Sequence, residues 1–342
     1  MTRRADFRLT LAGSDLAGDI FAAAAELVDI TDKVRPRLVS LRLTSKRGGE
    51  ADQLDLVLDD SDGMLAIPPS GAVIRLQLGI KGEGLVDKGA FKVDEPEWSI
   101  PSDQISVRAR AADLTAGFRV RTERSWKGTT LGAIVRELAG ANGLDPRIDP
   151  DLAGIPVPTL VQHNTSDMAL LRRLGKDHDA VATVKDGKLL FSRIGKGTTA
   201  SGKALPGLTL TRPDVSSCRV RFTARGADAG VEARWHDQDA GERKTVKAGG
   251  GAGKPKRLRK VYHSEAAAQQ AAQAENGRTK RAGASASIEL SDPRPDLYPE
   301  RNVTLQGFKP GVDGSNWILS EVSHSLDKSG GLRTSLTLEA KG

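Results

Sequence analysis

Apolar residues recur at every second position through most of the first 117 residues. Clear examples are Phe7, Leu9 and Leu11; Leu54, Leu56 and Leu58; Ile74, Leu76 and Leu78; and Ile105 with Val107. Because successive side chains of a strand point to opposite faces, each run predicts a β-strand with one buried face. Glycine and proline clusters separate the runs and predict tight turns. Residues 1–117 are therefore predicted to form a small β-barrel or sandwich.

The hydrophobic period changes after Ser125 and Trp126. Leu131, Ile134 and Leu138 fall on one face of a predicted helix, which Thr130 can cap and Asn142 can end. A second helix is predicted to begin near Ser166. Residues 118–205 therefore form a predicted α/β insertion.

Alternation resumes at about residue 206 and predicts a second β module of the same kind over residues 206–342. A glycine-rich basic segment and an alanine-rich helix over residues 264–276 interrupt it at about 236–284. That helix has no stripe of large apolar residues, and a short isolated helix is marginal in water. We expect it to pack against its own barrel or a neighbouring subunit.

A faint internal repeat relates the two predicted barrels. Ile74 and Leu76 correspond to Val303 and Leu305, and the segment FKVDE at residues 91–95 corresponds to WILSE at 317–321. Each copy closes with a third alternating strand. The fold class predicted is mainly β (α+β), with two similar barrels, and the strands around Ile74, Leu76, Val303 and Leu305 are candidate edges for pairing between subunits.

The chain of 342 residues has a formal net charge of +7, and much of the excess lies at residues 243–260. Charged residues around glycines are typical of a solvated, mobile loop, although a phosphate-binding surface remains an alternative. Arg257, Arg259 and Lys260 are the candidate contact residues. The one cysteine, Cys218, alternates with Val220 and Phe222, which predicts a small core residue rather than a reactive thiol.

No segment carries a recognisable catalytic, cofactor or metal motif. Residues 197–204 fit the spacing G-x-x-x-x-G-K, but Ala204 replaces the hydroxyl residue that holds magnesium and Pro206 opposes a following helix. The acidic turn at residues 59–63 lacks the late glutamate of a calcium loop. The five histidines show no zinc spacing. We therefore expect a protein that is not an enzyme and that binds no cofactor.

The apolar segments do not predict a membrane protein. The charged N-terminal residues precede no apolar run of signal-peptide length, so synthesis in a cytoplasm is expected. No apolar stretch approaches the ~20 residues that span a bilayer.

Nine short segments follow one another along the chain: DDSDGML at 59–65 with PPSG at 68–71, GAFKVDE at 89–95, RARAAD at 108–113, SWKGTTL at 125–131, QHNTSD at 162–167 with LRRL at 171–174, and WIL at 317–319 with VSH at 322–324. Taken in order, they resemble the late control protein D family, the baseplate hub proteins of contractile phage tails. These proteins are similar to the N-terminal half of the VgrG spike proteins of type VI secretion. Residues 164–165 depart from the pattern, because a glutamate commonly stands before the Ser-Asp pair.

The resemblance implies a homotrimer in which two barrels per chain give a pseudo-sixfold ring around a channel. Such a ring adapts a hexameric tail tube to a trimeric central spike. Implied partners are the spike, the tube protein, other baseplate proteins and the tape measure protein, with DNA only as transiting cargo. The expected location is the virion tail baseplate, after assembly in the host cytoplasm.

Two other classes of function stay open on the residues alone. A cell-wall hydrolase fused to a tail module would place catalysis in residues 118–205, which lack a recognisable acid, base or metal set. A basic nucleic-acid-binding accessory protein would bind DNA with a steep salt dependence.

Overall fold

The computed structural model describes residues 4–12, 28–48, 51–111, 116–185, 187–223, 229–237, 240–251, 253–328 and 331–341. The N-terminal residues 1–3, together with Ala112, Asp113 and Ala252, lie outside these ranges.

The described chain is mainly β, as the alternating pattern predicts. The strands are β1 Ala5–Ala12, β2 Val28–Asp29, β3 Leu38–Lys46, β4 Gln53–Asp59, β5 Val73–Ile80, β6 Gly84–Ser99, β7 Gln104–Ala111, β8 Arg121–Thr130, β9 Asp145–Ile148, β10 Pro156–Ser166, β11 Ala180–Lys185, β12 Lys188–Arg193, β13 Leu208–Thr211, β14 Val215–Phe222, β15 Val231–Asp237, β16 Glu242–Ala248, β17 Lys256–Tyr262, β18 Ala284–Leu290, β19 Asn302–Gln306, β20 Trp317–Asp327 and β21 Gly331–Ala340. The α-helices are α1 Thr31–Val34, α2 Leu131–Ala141, α3 Pro150–Ala153, α4 Asp167–Asp177 and α5 Glu265–Arg281, and short 3-10 helices lie at Arg35–Arg37, Ala116–Arg119 and Arg212–Asp214.

The first sheet module comprises β1 to β7, paired side by side in the order β3-β4-β7-β6-β5-β1-β2. Strands β5, β6 and β7 form consecutive antiparallel hairpins. The inward side chains of β1 and β3 to β7 share one apolar core, in which Leu9, Leu41 and Leu76 are fully buried. A shared core on one face shows that the sheet curls around its own apolar side.

The second sheet module comprises β13, β14 and β18 to β21. Its strands are paired in the order β14-β18-β21-β20-β19-β13, and its core surrounds the fully buried Trp317. Strands β19, β20 and β21 are again consecutive antiparallel neighbours. One difference is that β13 runs parallel to β19, whereas β1 runs antiparallel to β5.

The two modules do not close into the separate barrels that the sequence predicts. Within the described residues, the outer side of β3 pairs with β20, so the modules merge into one 13-stranded sheet. The prediction of closed barrels is wrong here because a strand of the other module occupies the edge that closure would need.

The α/β unit, built from β8 to β12 and α2 to α4, lies between the two modules in sequence. Helix α2 begins after Thr130, whose hydroxyl oxygen accepts a hydrogen bond from the Ala133 amide at 3.3 Å, and Asn142 caps its end. Ser166 caps α4 in the same way. Both helices stand where the periodicity predicts them and pack their apolar faces into a core around Phe191.

The small alpha-beta lobe, built from β15 to β17 and α5, replaces the predicted basic loop. The strand order is β16-β15-β17, and α5 covers one face through Ala268 and Ala272. The loop prediction is wrong because Val246, Ala248 and Leu258 contact this helix and give the basic segment a core. Helix α5 is also longer than predicted, with 17 residues, and packs within its own chain.

Cys218 is exposed, so its prediction as a core residue is wrong. It alternates on β14 with Val220 and Phe222 as expected, but β14 stands at one end of the sheet and Phe222 is 60% exposed. Partial desolvation raises the pKa of the Cys218 thiol, which also disfavours an activated thiolate.

Replacing Leu76 by Ala should test the core of the first sheet module. Leu76 is fully buried, so we expect the free energy of unfolding to fall by about 2–5 kcal/mol in urea denaturation, because the substitution leaves a cavity. Leu85→Ala is the matched control, since Leu85 is 37% exposed. Equal losses in the two variants would contradict this description of the core.

Candidate functional site: the junction of the two sheet modules

The four apolar candidate residues lie inside the subunit. Ile74, Leu76, Val303 and Leu305 are each at most 3% exposed. Strand β5 pairs with β1 on one side and β6 on the other. Strand β19 pairs with β13 along most of its length and with β20 at Asn302 and Val303. The expectation that β5 is an edge strand is therefore wrong within this chain, and a role of these residues at an interface stays a prediction.

The three basic candidates lie together on β17 of the small alpha-beta lobe, whereas the four apolar candidates lie in the two sheet modules. Arg257 donates to the Glu232 carboxylate at 3.2 Å, and Lys260 lies 5.0 Å from the centre of the Tyr262 ring. Hydrogen bonds from Lys247 and Arg257 lower the pKa of Glu232, so this carboxylate stays ionised. All three candidates are exposed, which leaves them available to a partner.

The feature that joins the modules is the antiparallel ladder between β3 and β20. Residues Glu321 to Asp327 of β20 lie opposite Lys46 to Ser40 of β3, with Leu326 facing Leu41 and His324 facing Leu43. These last four residues are 8% exposed or less, so the ladder carries apolar contacts as well as main-chain hydrogen bonds. It makes one continuous sheet from residues almost 300 positions apart.

Arg47, just past β3, fastens this ladder to the second sheet module. Its amide donates to the Ser320 carbonyl oxygen at 3.0 Å, and its guanidinium reaches Glu339 at 2.8 Å and Glu300 at 3.2 Å. The Arg47 side chain is 13% exposed. The Glu300 side chain is 16% exposed, and removing one partner of a buried ion pair leaves the other charge uncompensated, so Arg47 and Glu300 depend on the junction staying closed.

A second polar contact crosses the junction at His324. The Lys88 ammonium of β6 donates to His324 Nε2 at 3.2 Å and to the Leu297 carbonyl oxygen at 3.4 Å. His324 Nδ1 lies 3.2 Å from the Thr334 hydroxyl oxygen, which can accept a hydrogen bond from the ring N–H group. Burial, and then the Lys88 charge, lower the pKa of His324 to about 3. The imidazole is therefore neutral near neutral pH.

A cleft of about 530 Å³ adjoins the junction and is bounded by the first sheet module, the α/β unit and residues 298–300 of the second sheet module. Its walls include Lys88, Arg47, Asp52 and Glu300. Burial lowers the pKa of Lys88 to about 8 and raises the pKa values of Asp52 and Glu300. Lys88 and Arg47 already contact residues of the second sheet module across the junction. These side chains of the cleft wall therefore help to hold the two modules together.

Metal-binding and membrane-spanning features are absent from the described ranges. No group of three or more His, Cys, Asp or Glu side chains in them is placed to hold a metal ion. Among the same residues, no helix is both long and apolar enough to cross a membrane.

The described residues form one large curled sheet with two appended lobes. A model of the family "Phage tail baseplate hub (GPD)" matches residues 57–330, so the chain belongs to the phage tail baseplate hub family. This family consists of structural proteins, and the chain is not an enzyme.

Similar proteins match nearly the whole length of the chain. The probable baseplate hub protein of Escherichia phage P2 is 38% identical, and the match covers 96% of this chain and 95% of that protein. A 43 kDa tail protein from prophage MuSo2 of Shewanella oneidensis has the same fold at 16% identity, with a TM-score of 0.66 and coverage of 97% and 98%. A type VI secretion component of E. coli is similar at 12% identity, with a TM-score of 0.56 and coverage of 90% and 74%.

Replacing His324 by Gln should remove a pH dependence of folding stability. The pKa of His324 is about 3 in the folded chain and about 6.5 in an unfolded one, so the unfolded state binds more protons between these values. Wild-type stability should therefore fall as the pH drops below about 6.5, by up to about 1.4 kcal/mol per pH unit.

In His324→Gln, the introduced side-chain amide oxygen can still accept the hydrogen bond from Lys88 but does not titrate. Urea denaturation of both proteins between pH 5 and 7.5 measures the difference. Parallel curves over this range would contradict a buried, neutral His324, and His263→Gln at an exposed position is the control.

Proposed function

We propose that three copies of the chain form a ring around a channel and that the two sheet modules of each chain occupy six similar positions in it. The observation that supports this is a strand-by-strand correspondence. The orders β3-β4-β7-β6-β5-β1 and β14-β18-β21-β20-β19-β13 use strands that follow the same sequence along the chain. A trimer of two similar modules meets sixfold and threefold partners without any change in subunit number.

Irregularities in the ladders support the same correspondence. The β6-β7 ladder shifts register between Val93 and Glu95, and the β20-β21 ladder shifts between Leu319 and Glu321. These positions coincide in the sequence repeat of residues 91–95 with 317–321. β-Bulges are specific features that re-aim a strand, so a shared bulge indicates equivalent geometry.

In this proposal the ring lies in the tail baseplate, between a hexameric tail tube and a trimeric central spike, and DNA or other cargo passes through it. Other baseplate proteins and the tape measure protein contact its surfaces after assembly in the host cytoplasm. Residues 118–205 and about 236–284 are treated as insertions into a framework of residues 1–117 and 206–342. In this arrangement the ring carries the α/β unit and the small alpha-beta lobe as appended lobes.

The molar mass of the purified full-length chain tests the ring. We expect light scattering to give three times the 36.3 kDa of one chain for the protein alone, or that mass plus the mass of the spike for the complex with the co-expressed spike protein. The pseudo-sixfold arrangement requires this stoichiometry. A strict monomer in both samples would contradict the proposal.

The basic candidates give a second test, because exposed cations on a rigid strand suit an acidic partner surface. We expect Arg257→Gln, Arg259→Gln and Lys260→Gln, combined, to lower the yield of assembled tail particles without changing the unfolding midpoint. The control removes the same charge from exposed residues of the α/β unit, namely Arg121, Lys127 and Arg136. Equal particle yields in the two variants would show that the β17 cations contact solvent and not a partner protein.

A further inference from the structure

Strand β14 stands at the free end of the sheet and exposes apolar side chains on one of its faces. Among the described residues it pairs only with β18, and its other edge has no partner strand. Cys218 is exposed and Phe222 is 60% exposed, although both point toward the core side that Ile288 and Ala284 share on the neighbouring strand. An apolar edge of this kind promotes association with another chain unless it is covered.

The second half of β6 offers a matching free edge. Strand β5 follows β6 only as far as Lys92, and the amide and carbonyl of Val93 bond to Ala72 and Gly71. From Glu95 to Ser99, β6 pairs with β7 alone among the described residues. Two large apolar side chains stand out here, since Trp98 is 49% exposed and Ile100, just after the strand, is 68% exposed.

The junction inside the chain shows what covers such an edge. Strand β20 corresponds to β6 through their shared bulge, and the half of β20 that corresponds to Glu95–Ser99 is the half that pairs with β3. In β20 the positions of Trp98 and Ile100 are held by His324 and Leu326, which β3 buries to 0% and 8% exposure.

Strand β3 in turn corresponds to β14. Each follows a 3-10 helix whose second residue is proline, Arg35–Arg37 before β3 and Arg212–Asp214 before β14. Each ladder with its inner neighbour shifts register near its first residues, between Leu38 and Ser40 in β3 and between Val215 and Ser217 in β14. Aligned on these bulges, Leu41, Leu43 and Ser45 match Cys218, Val220 and Phe222.

We propose that β14 of one copy adds antiparallel to the free half of β6 in a second copy, as β3 adds to β20 within the chain. This inference rests on the proposed ring and names the strands that would close it. The register of the internal ladder, transferred by the alignment, places Cys218 opposite Ile100 and Val220 opposite Trp98. It places Phe222 opposite Pro96.

Charge on the outer face agrees with this register. Arg221 falls opposite Glu97, because their counterparts Thr44 and Ser323 are paired in the internal ladder. Both residues are exposed in the single chain. Opposite charges that face each other across a ladder stabilise the pair, and like charges oppose it.

The contact joins two different surfaces, so it is heterologous and forms a ring only if the rotation closes. Internal and intermolecular junctions would then alternate, and each would join a strand of the β6 or β20 type to one of the β3 or β14 type. A second copy is the natural occupant because the chain already contains this contact once.

The native Cys218 makes a single substitution informative. Residues directly opposite in an antiparallel ladder have Cα atoms about 4.5–5.5 Å apart, a separation that a disulfide spans. Under mild oxidation of the full-length protein, Ile100→Cys should shift most of the chain into cross-linked dimers and trimers that a reductant dissolves. The same substitution with Cys218→Ser should stay uncross-linked, as should Val161→Cys, at a residue that is 53% exposed in the α/β unit.

A charge exchange provides an independent readout. The single variants Glu97→Arg and Arg221→Glu should each fail to give the trimer mass in light scattering. The double variant that carries both substitutions should give it again. A trimer that forms no bond between positions 100 and 218 and tolerates both single exchanges would overturn the β14-β6 contact and leave the proposed ring standing. A wild-type chain that stays monomeric alone and with its spike would overturn both.

Discussion

Main-chain pairing between β3 and β20 is the interaction on which the rest of the structure depends. Each strand of a sheet carries a row of amide and carbonyl groups that need partners, and here the two modules satisfy each other. Arg47 reaches Glu300 and Glu339 only because this ladder brings the ends of the two modules together. The contact of Lys88 with His324 and the neighbouring cleft have the same origin.

The appended lobes are connected to each other as well as to the sheet. Arg281 at the end of α5 donates to the Asp179 carboxylate after α4 at 2.8 Å, and Arg278 donates to the Lys176 carbonyl oxygen at 2.6 Å. The Arg281 side chain is 6% exposed, so its charge depends on Asp179 for compensation. The two lobes are therefore joined to each other through α4 and α5.

Local features of the fold could be read from the sequence, and long-range ones could not. Helix α2 was predictable because its apolar face, its Thr130 cap and its Asn142 end lie within one short window. The repeat of FKVDE with WILSE predicts equivalent strands, and the proposed correspondence of the two modules rests on it. The β3-β20 pairing was not visible, since alternation shows that a strand has a buried face but not which strand lies beside it. The same gap explains Cys218, whose alternation is real although β14 stands at an end of the sheet. The basic segment was predicted to be a loop because its apolar residues Val246, Ala248 and Leu258 are few among its glycines and cations.

The opposite directions of β1 and β13 set a limit on how alike the two modules can be. Only the three residues Arg212–Asp214 link β13 to β14, whereas a longer segment separates β1 from β3. The short link leaves β13 parallel to β19. The corner of the second module that β13 forms therefore presents different groups from the corner of the first module that β1 forms. In a ring of alternating modules the two kinds of corner would recur every 120°. A threefold partner could then find its orientation from strand polarity alone, while a sixfold partner would have to contact the parts that both modules share.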